Sequence, residues 1–139
     1  MVSSERVQLA RPWVGGAEVR RVADVPEGGW FGPGPPVAAS EDQVAALVGA
    51  KHVVAVASGT AALQLALEGA GIGAGDEVVV PSLTFCATVH AILATGATPI
   101  FAEVDADTLC LDPSDLERCT TSRTRAVVPV LFGGHAGAS

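Results

Sequence analysis

Aromatic side chains are scarce in this 139-residue chain, at 4%, and charged residues make up only 17%. With so few rings, Ala, Val and Leu must build the core. They pack helices closely on a sheet but leave little polar surface for the outside, which points to oligomerisation or to a chain that is part of something larger. Basic residues are fewer still: one lysine, Lys51, and seven arginines face 15 acids, for a net charge of −7. They form no stripe of the kind that grips a phosphate backbone, so nucleic acid is not an expected partner; the acidic excess serves solubility. The three cysteines, Cys86, Cys110 and Cys119, are odd in number and show no CxxC spacing. That argues against a disulfide framework and against a zinc or other metal site, and reduced, mostly buried thiols in a cytoplasmic protein are expected. No apolar run reaches the 18 residues that a membrane span needs. The opening "MVSSERVQLARPW" lacks the apolar stretch of a signal peptide. The fingerprints GxxxxGK[ST] and GxGxxG are absent as well.

What is present is an apolar fraction of 49%, in a chain long enough to bury roughly two thirds of its unfolded surface. Residues 1–50 read as an N-terminal arm. The region is rich in Pro and Gly, with one or two helical turns over Val19–Val25, a break at Gly28-Gly29, and an extended or turning path through "GPGPP" at 32–36. Glu41–Val48 looks helical, with Ser40 as its N-cap. From residue 51 the pattern becomes regular. "HVVAVA" (52–57) is a continuous apolar run, as in a strand covered on both faces. Thr60–Ala70 is a helix whose only polar stripe is Gln64 and Glu68, so most of its surface is expected to be buried. Strand "VVVP" (78–81), helix Thr84–Thr95 closed by Gly96, and strand "PIFAEVD" (99–105) follow. A short helix is opened by Asp112 as cap, Pro113 at its first position and Asp115 favouring its dipole. "RAVVPVLF" (125–132) is the last strand. The order βαβαβαβ over 51–139 predicts an α/β fold: a mainly parallel sheet with right-handed βαβ crossovers.

In such a sheet ligands gather at the carboxyl ends of the strands. The corner Ser58-Gly59-Thr60 lies there, at a helix N-terminus where free amides and the dipole attract an anion. Gly59 permits close approach, and Ser58 and Thr60 offer hydroxyls. A phosphate suits the corner, and so does ordinary helix capping; spacing alone leaves both open. Phe85, in the second corner "PSLTFCAT" (81–88), is either a ring that stacks on a flat ligand or a core phenylalanine. Asp105 follows a strand end, where a solvated loop role competes with one facing the site. His52 and His135 read as surface or loop residues.

The ordered combination "SGTAAL", "GDEVVVPSLTF" and "GATPIFAEVD", continued by "TTSRTRAVVPVLFGGHAG" and preceded by "PEGGWFGPGPPV", resembles the N-terminal part of the DegT/DnrJ/EryC1/StrS family of aminotransferases. The resemblance covers nearly the whole chain. It implies an incomplete PLP-transferase fold type I large domain, with pyridoxal 5'-phosphate as cofactor of the full-length parent. It also implies a nucleotide-linked keto-sugar and glutamate as substrates, and a homodimer. Carried over residue by residue, Gly59 and Thr60 match positions that hold the cofactor phosphate, and Phe85 matches the aromatic that stacks on its ring. His90 stands where many relatives have Asn, as a candidate substrate contact or as a helix histidine bonded to a nearby carbonyl.

The same chemistry needs a Schiff-base lysine and a carboxylate on the ring nitrogen. Lys51 does not match the catalytic position and precedes the expected first strand, at its amino end. Ala138 stands where relatives place Asp. No catalytic residue is therefore assigned, and the chain is expected to be an N-terminal fragment, inactive alone. A non-catalytic remnant that binds a phosphate ligand or a partner subunit is the alternative. An unrelated flavodoxin-like binding domain would require the ordered motifs to be accidental.

Overall fold

The computed structural model describes residues 10–29 and 31–136. The opening stretch up to residue 9, Trp30 of the Gly-Trp pair, and Ala138 lie outside the described residues. The chain divides into two compact units, Met1–Ala55 and Val56–Ser139.

In the first unit, helix α1 spans Gly16–Glu27, longer than the expected one or two turns. Its start is fixed by Glu18, whose carboxylate accepts the Gly15 amide at 2.7 Å. Helix α2 spans Pro35–Val48 and begins five residues before the expected cap at Ser40. The "GPGPP" run turns at 32–34, and its last two prolines, Pro35 and Pro36, open the helix, where a fixed φ and a missing amide are harmless. Gly49, at φ 68°, ends the helix in the left-handed conformation that favours glycine. No residue of either helix is buried. Glu41 on α2 accepts the Ala55 amide at 2.7 Å.

The second unit is a three-stranded parallel sheet with helices. Its elements are α3 (Gly59–Gly69), β1 (Glu77–Pro81), α4 (Cys86–Ala94), β2 (Thr98–Ala102), α5 (Pro113–Cys119) and β3 (Thr124–Val127), in the sheet order β2-β1-β3. β1 runs parallel to β2 with Val79 opposite Ile100, and parallel to β3 with Val79 opposite Val127. The register with β3 shifts between Glu77 and Val78. Helix and strand alternate as expected from residue 59 onward, with one correction. "HVVAVA" (52–57) forms no strand. A doubly covered strand needs a neighbour on its ladder, and among the described residues none pairs with it; Val54 is 76% exposed. β3 is also shorter than expected, because Pro129 has no amide for a ladder. Val128 still donates to Val79 O at 2.9 Å before the chain turns through a 3-10 segment, Phe132–Gly134.

The core lies where α3 and α4 pack side by side over β1. Leu67, Ile72, Val78, Val80, Ile92 and Ala97 form one buried cluster. Period-2 alternation places Val78 and Val80 on this face and Val79 on the other. α3 is less buried than its apolar composition suggests, since only Leu67 is buried and Leu65 remains half exposed. α4 packs along one side of it.

Two carboxylates hold strand ends, and a third holds its own loop. Glu77, buried at the start of β1, accepts hydrogen bonds from Thr121 and from the Arg123 guanidinium. The Thr121 hydroxyl, and then the arginine, keep its pKa below the usual range. Asp115 does more than favour the dipole of α5. It accepts the Glu103 amide at 2.6 Å and pairs with Arg118, and the Glu103 amide is the first cause of its lowered pKa. Asp105 accepts the Thr108 and Asp107 amides in a tight loop, and the Thr108 bonds lower its pKa.

Candidate functional site

Ser58 has extended backbone angles (φ −160°, ψ 159°), and its hydroxyl accepts the Ala61 amide at 3.2 Å. Its carbonyl accepts the Ala62 amide at 3.0 Å. Capping is therefore accomplished by Ser58 alone. The amides of Gly59 and Thr60, in the first helical turn, have no intrahelical acceptor, and the Thr60 hydroxyl takes no hydrogen bond among the described residues. A Cβ built on Gly59 would meet nothing within 4 Å. The protein itself does not demand glycine there, whereas a ligand lying against the backbone would. The first turns of α3 and α4 carry no acidic residue, so nothing offsets the positive ends of their dipoles.

Phe85 belongs to the loop that leaves the carboxyl end of β1. It is 76% exposed, so it is not the core phenylalanine that its type alone would allow. It occupies the N-cap of α4 without a capping side-chain bond, at a position where Ser, Thr, Asp or Asn is preferred. The loop around it is pinned. Ser82 donates its amide to Ala102 O at 2.8 Å, and the Thr84 hydroxyl lies 3.1 Å from that of Thr88, which is buried. The C-terminal halves of α3 and α4 meet at Leu67 and Ile92 in the shared cluster. Their N-termini, bearing Ser58–Thr60 and Phe85, lie at the helix ends away from Leu67 and Ile92. Gly59 and Thr60 thus stand in the first turn of α3 and Phe85 at the N-cap of α4. The Thr84–Thr88 pair was not singled out; its only signal is two hydroxyls four apart around an aromatic that begins a helix.

His90 is exposed on α4 and takes no hydrogen bond among the described residues, unlike a histidine tied to a carbonyl. Asp105 is engaged with its own loop. His52 and His135 are exposed, and Lys51 is exposed in the first unit. The cysteines are all free, but Cys86, at the first position of α4, is exposed rather than buried. Burial holds the Cys119 thiol above its usual pKa. Among the described residues no cluster of three or more His, Cys, Asp or Glu is gathered for a metal, and no helix is long and apolar enough to cross a membrane.

Residues 13–138 match the profile of the DegT/DnrJ/EryC1/StrS aminotransferase family. The spore coat polysaccharide biosynthesis protein SpsC of Bacillus subtilis (strain 168) is 53% identical over 125 residues, which are 90% of this chain and 32% of that protein. The UDP-4-amino-4-deoxy-L-arabinose–oxoglutarate aminotransferase of Shewanella sediminis (strain HAW-EB3) is 41% identical over 133 residues, 96% of this chain and 34% of that protein. A solved structure from Streptococcus pneumoniae, described as a sugar aminotransferase in its PMP form, superposes with a TM-score of 0.88 at 32% identity, covering 95% of this chain and 33% of its own. The chain spans about a third of the length of the curated relatives it matches.

Proposed function

Because the chain belongs to the DegT/DnrJ/EryC1/StrS aminotransferase family, we propose that it is the phosphate- and ring-holding portion of a pyridoxal-5'-phosphate-dependent sugar aminotransferase. The parent moves an amino group from glutamate to the ketone of a nucleotide-linked sugar, as a cytoplasmic homodimer. The observation that carries this reading is the corner at 58–60. Ser58 satisfies the helix end, so the amides of Gly59 and Thr60 and the Thr60 hydroxyl are surplus to capping and available to a phosphate. Phe85 presents an exposed ring at the N-terminus of α4 to cover a flat heterocycle. The donor set fits the two inert parts of the cofactor, its acidic tail and its ring face. When bound, pyridoxal phosphate supplies the electron sink and the amino-group carrier. The chain's own residues bind it, orient it and shield one face. His90, exposed one turn further along α4, is assigned to substrate.

Proton movement and covalent attachment need a lysine, and the only lysine of this sequence is Lys51. The 139-residue chain is therefore assigned no turnover of its own. Titration of the chain with pyridoxal phosphate, followed by phosphorus NMR, tests the phosphate assignment. Thr60→Val removes one hydroxyl from a charged acceptor and should weaken binding about ten-fold or more, with an unchanged circular dichroism spectrum. Equal binding by the two versions leaves Thr60 no role at the phosphate.

A further inference from the structure

A side chain with an oxygen to accept the free amides would cap α4 better than phenylalanine, so something other than the Phe85 side chain must fix the entry to this helix. That task falls to Thr84. Its hydroxyl donates to Thr88 Oγ1 at 3.1 Å, and Thr88 is 7% exposed, within the helix and against the core. The Thr88 amide in turn donates to Phe85 O at 3.0 Å. One residue before Phe85 and three after it are thus joined by a side-chain bond, while the Phe85 main chain is held from within the helix. Further back, the Ser82 amide is fixed to Ala102 O at 2.8 Å. Between these ties Phe85 has one extended conformation, φ −74° and ψ 139°, with its ring directed away from the core.

We propose that Thr84 is a positioning residue: through Thr88 it holds the Phe85 ring in the exposed pose in which it covers the cofactor. The assignment rests on the ring-stacking reading of Phe85 given above. A threonine without its hydroxyl still fits the space, because Thr84→Val conserves shape and removes only the donor. The Phe85 main chain then loses one of its ties and the ring it carries samples more than one pose, so the cofactor must select among poses before it is covered.

Fluorine NMR of the full chain carrying 4-fluorophenylalanine tests this without requiring any activity. Phe85 is one of four phenylalanines, and its resonance is assigned from Phe85→Leu. Thr84→Val should shift and broaden the Phe85 resonance alone, and Thr84→Ser, which restores a hydroxyl, should return it. The signals of Phe31, Phe101 and Phe132 report that the fold is retained. Pyridoxal phosphate should half-saturate Thr84→Val at about a five-fold higher concentration than the parent chain, with recovery in Thr84→Ser. An unchanged Phe85 resonance in Thr84→Val overturns the proposal. Cofactor that leaves the Phe85 resonance of the parent chain untouched overturns the stacking reading instead, and the cofactor-free spectra still decide whether Thr84 holds the ring.

Discussion

At the scale of single residues, Phe85 and Glu77 show side chains placed against and with local stability. Phe85 stands at a helix N-cap with its ring in solvent. Phe85→Asn should therefore raise stability by about 1 kcal/mol, since a capping side chain replaces one that cannot cap. The same change should weaken pyridoxal phosphate binding. Parallel urea denaturation and cofactor titration check the two effects; lower stability would show that the ring supports the fold. Glu77 is the opposite case. Its pKa is lowered in the folded chain from an ordinary 4.5 by the Thr121 and Arg123 bonds. A depressed carboxylate contributes stability that is present above its unfolded pKa and is lost as pH falls through the folded value. The urea midpoint should thus hold steady above about pH 4.5 and drop below it. Glu77→Gln should lower the midpoint at neutral pH and flatten that acid limb. Of these two residues, Phe85 was visible in the sequence as one of few aromatics beside a strand end, but its exposure was not. Glu77's partners lie 44 and 46 positions away, and no local pattern links "DEVVV" to "TSRTR".

At the scale of elements, the glycine and proline punctuation was the readable part. Asp112 accepts the Ser114 amide at 2.9 Å with Pro113 next in line, as its sequence context implies. Gly96 ends α4 at φ 83°. Gly96→Ala would force a side chain into that left-handed conformation, at a cost of about 1–2 kcal/mol, measurable as a shift of the denaturation midpoint; no shift would mean that the turn relaxes elsewhere. The strand at 52–57 was misread for a physical reason. Apolar β-branched composition reports willingness to pair, whereas a strand exists only where another offers its amides and carbonyls. The start of α2 was misread for a different one. Consecutive prolines break a helix interior but open a helix well.

At the scale of the whole molecule, the charge and composition argument meets the exposed apolar side chains. Val54, Phe85, Leu47 and Leu131 are each more than half exposed, in a chain with only 17% charged residues. Scattered surface hydrophobics are ordinary, but this many on so thinly charged a chain favour association. Light scattering of the purified chain should show species larger than a 13.9 kDa monomer; a monodisperse monomer at the same concentration would remove that expectation. Leu67 and Ile92 anchor α3 and α4 at the ends away from Ser58 and Phe85. Substitutions at Thr60 and Phe85 therefore leave those anchors intact. The residues offered to a ligand and those that hold the helices together are thus different ones, so loss of binding and loss of folding are separable by substitution.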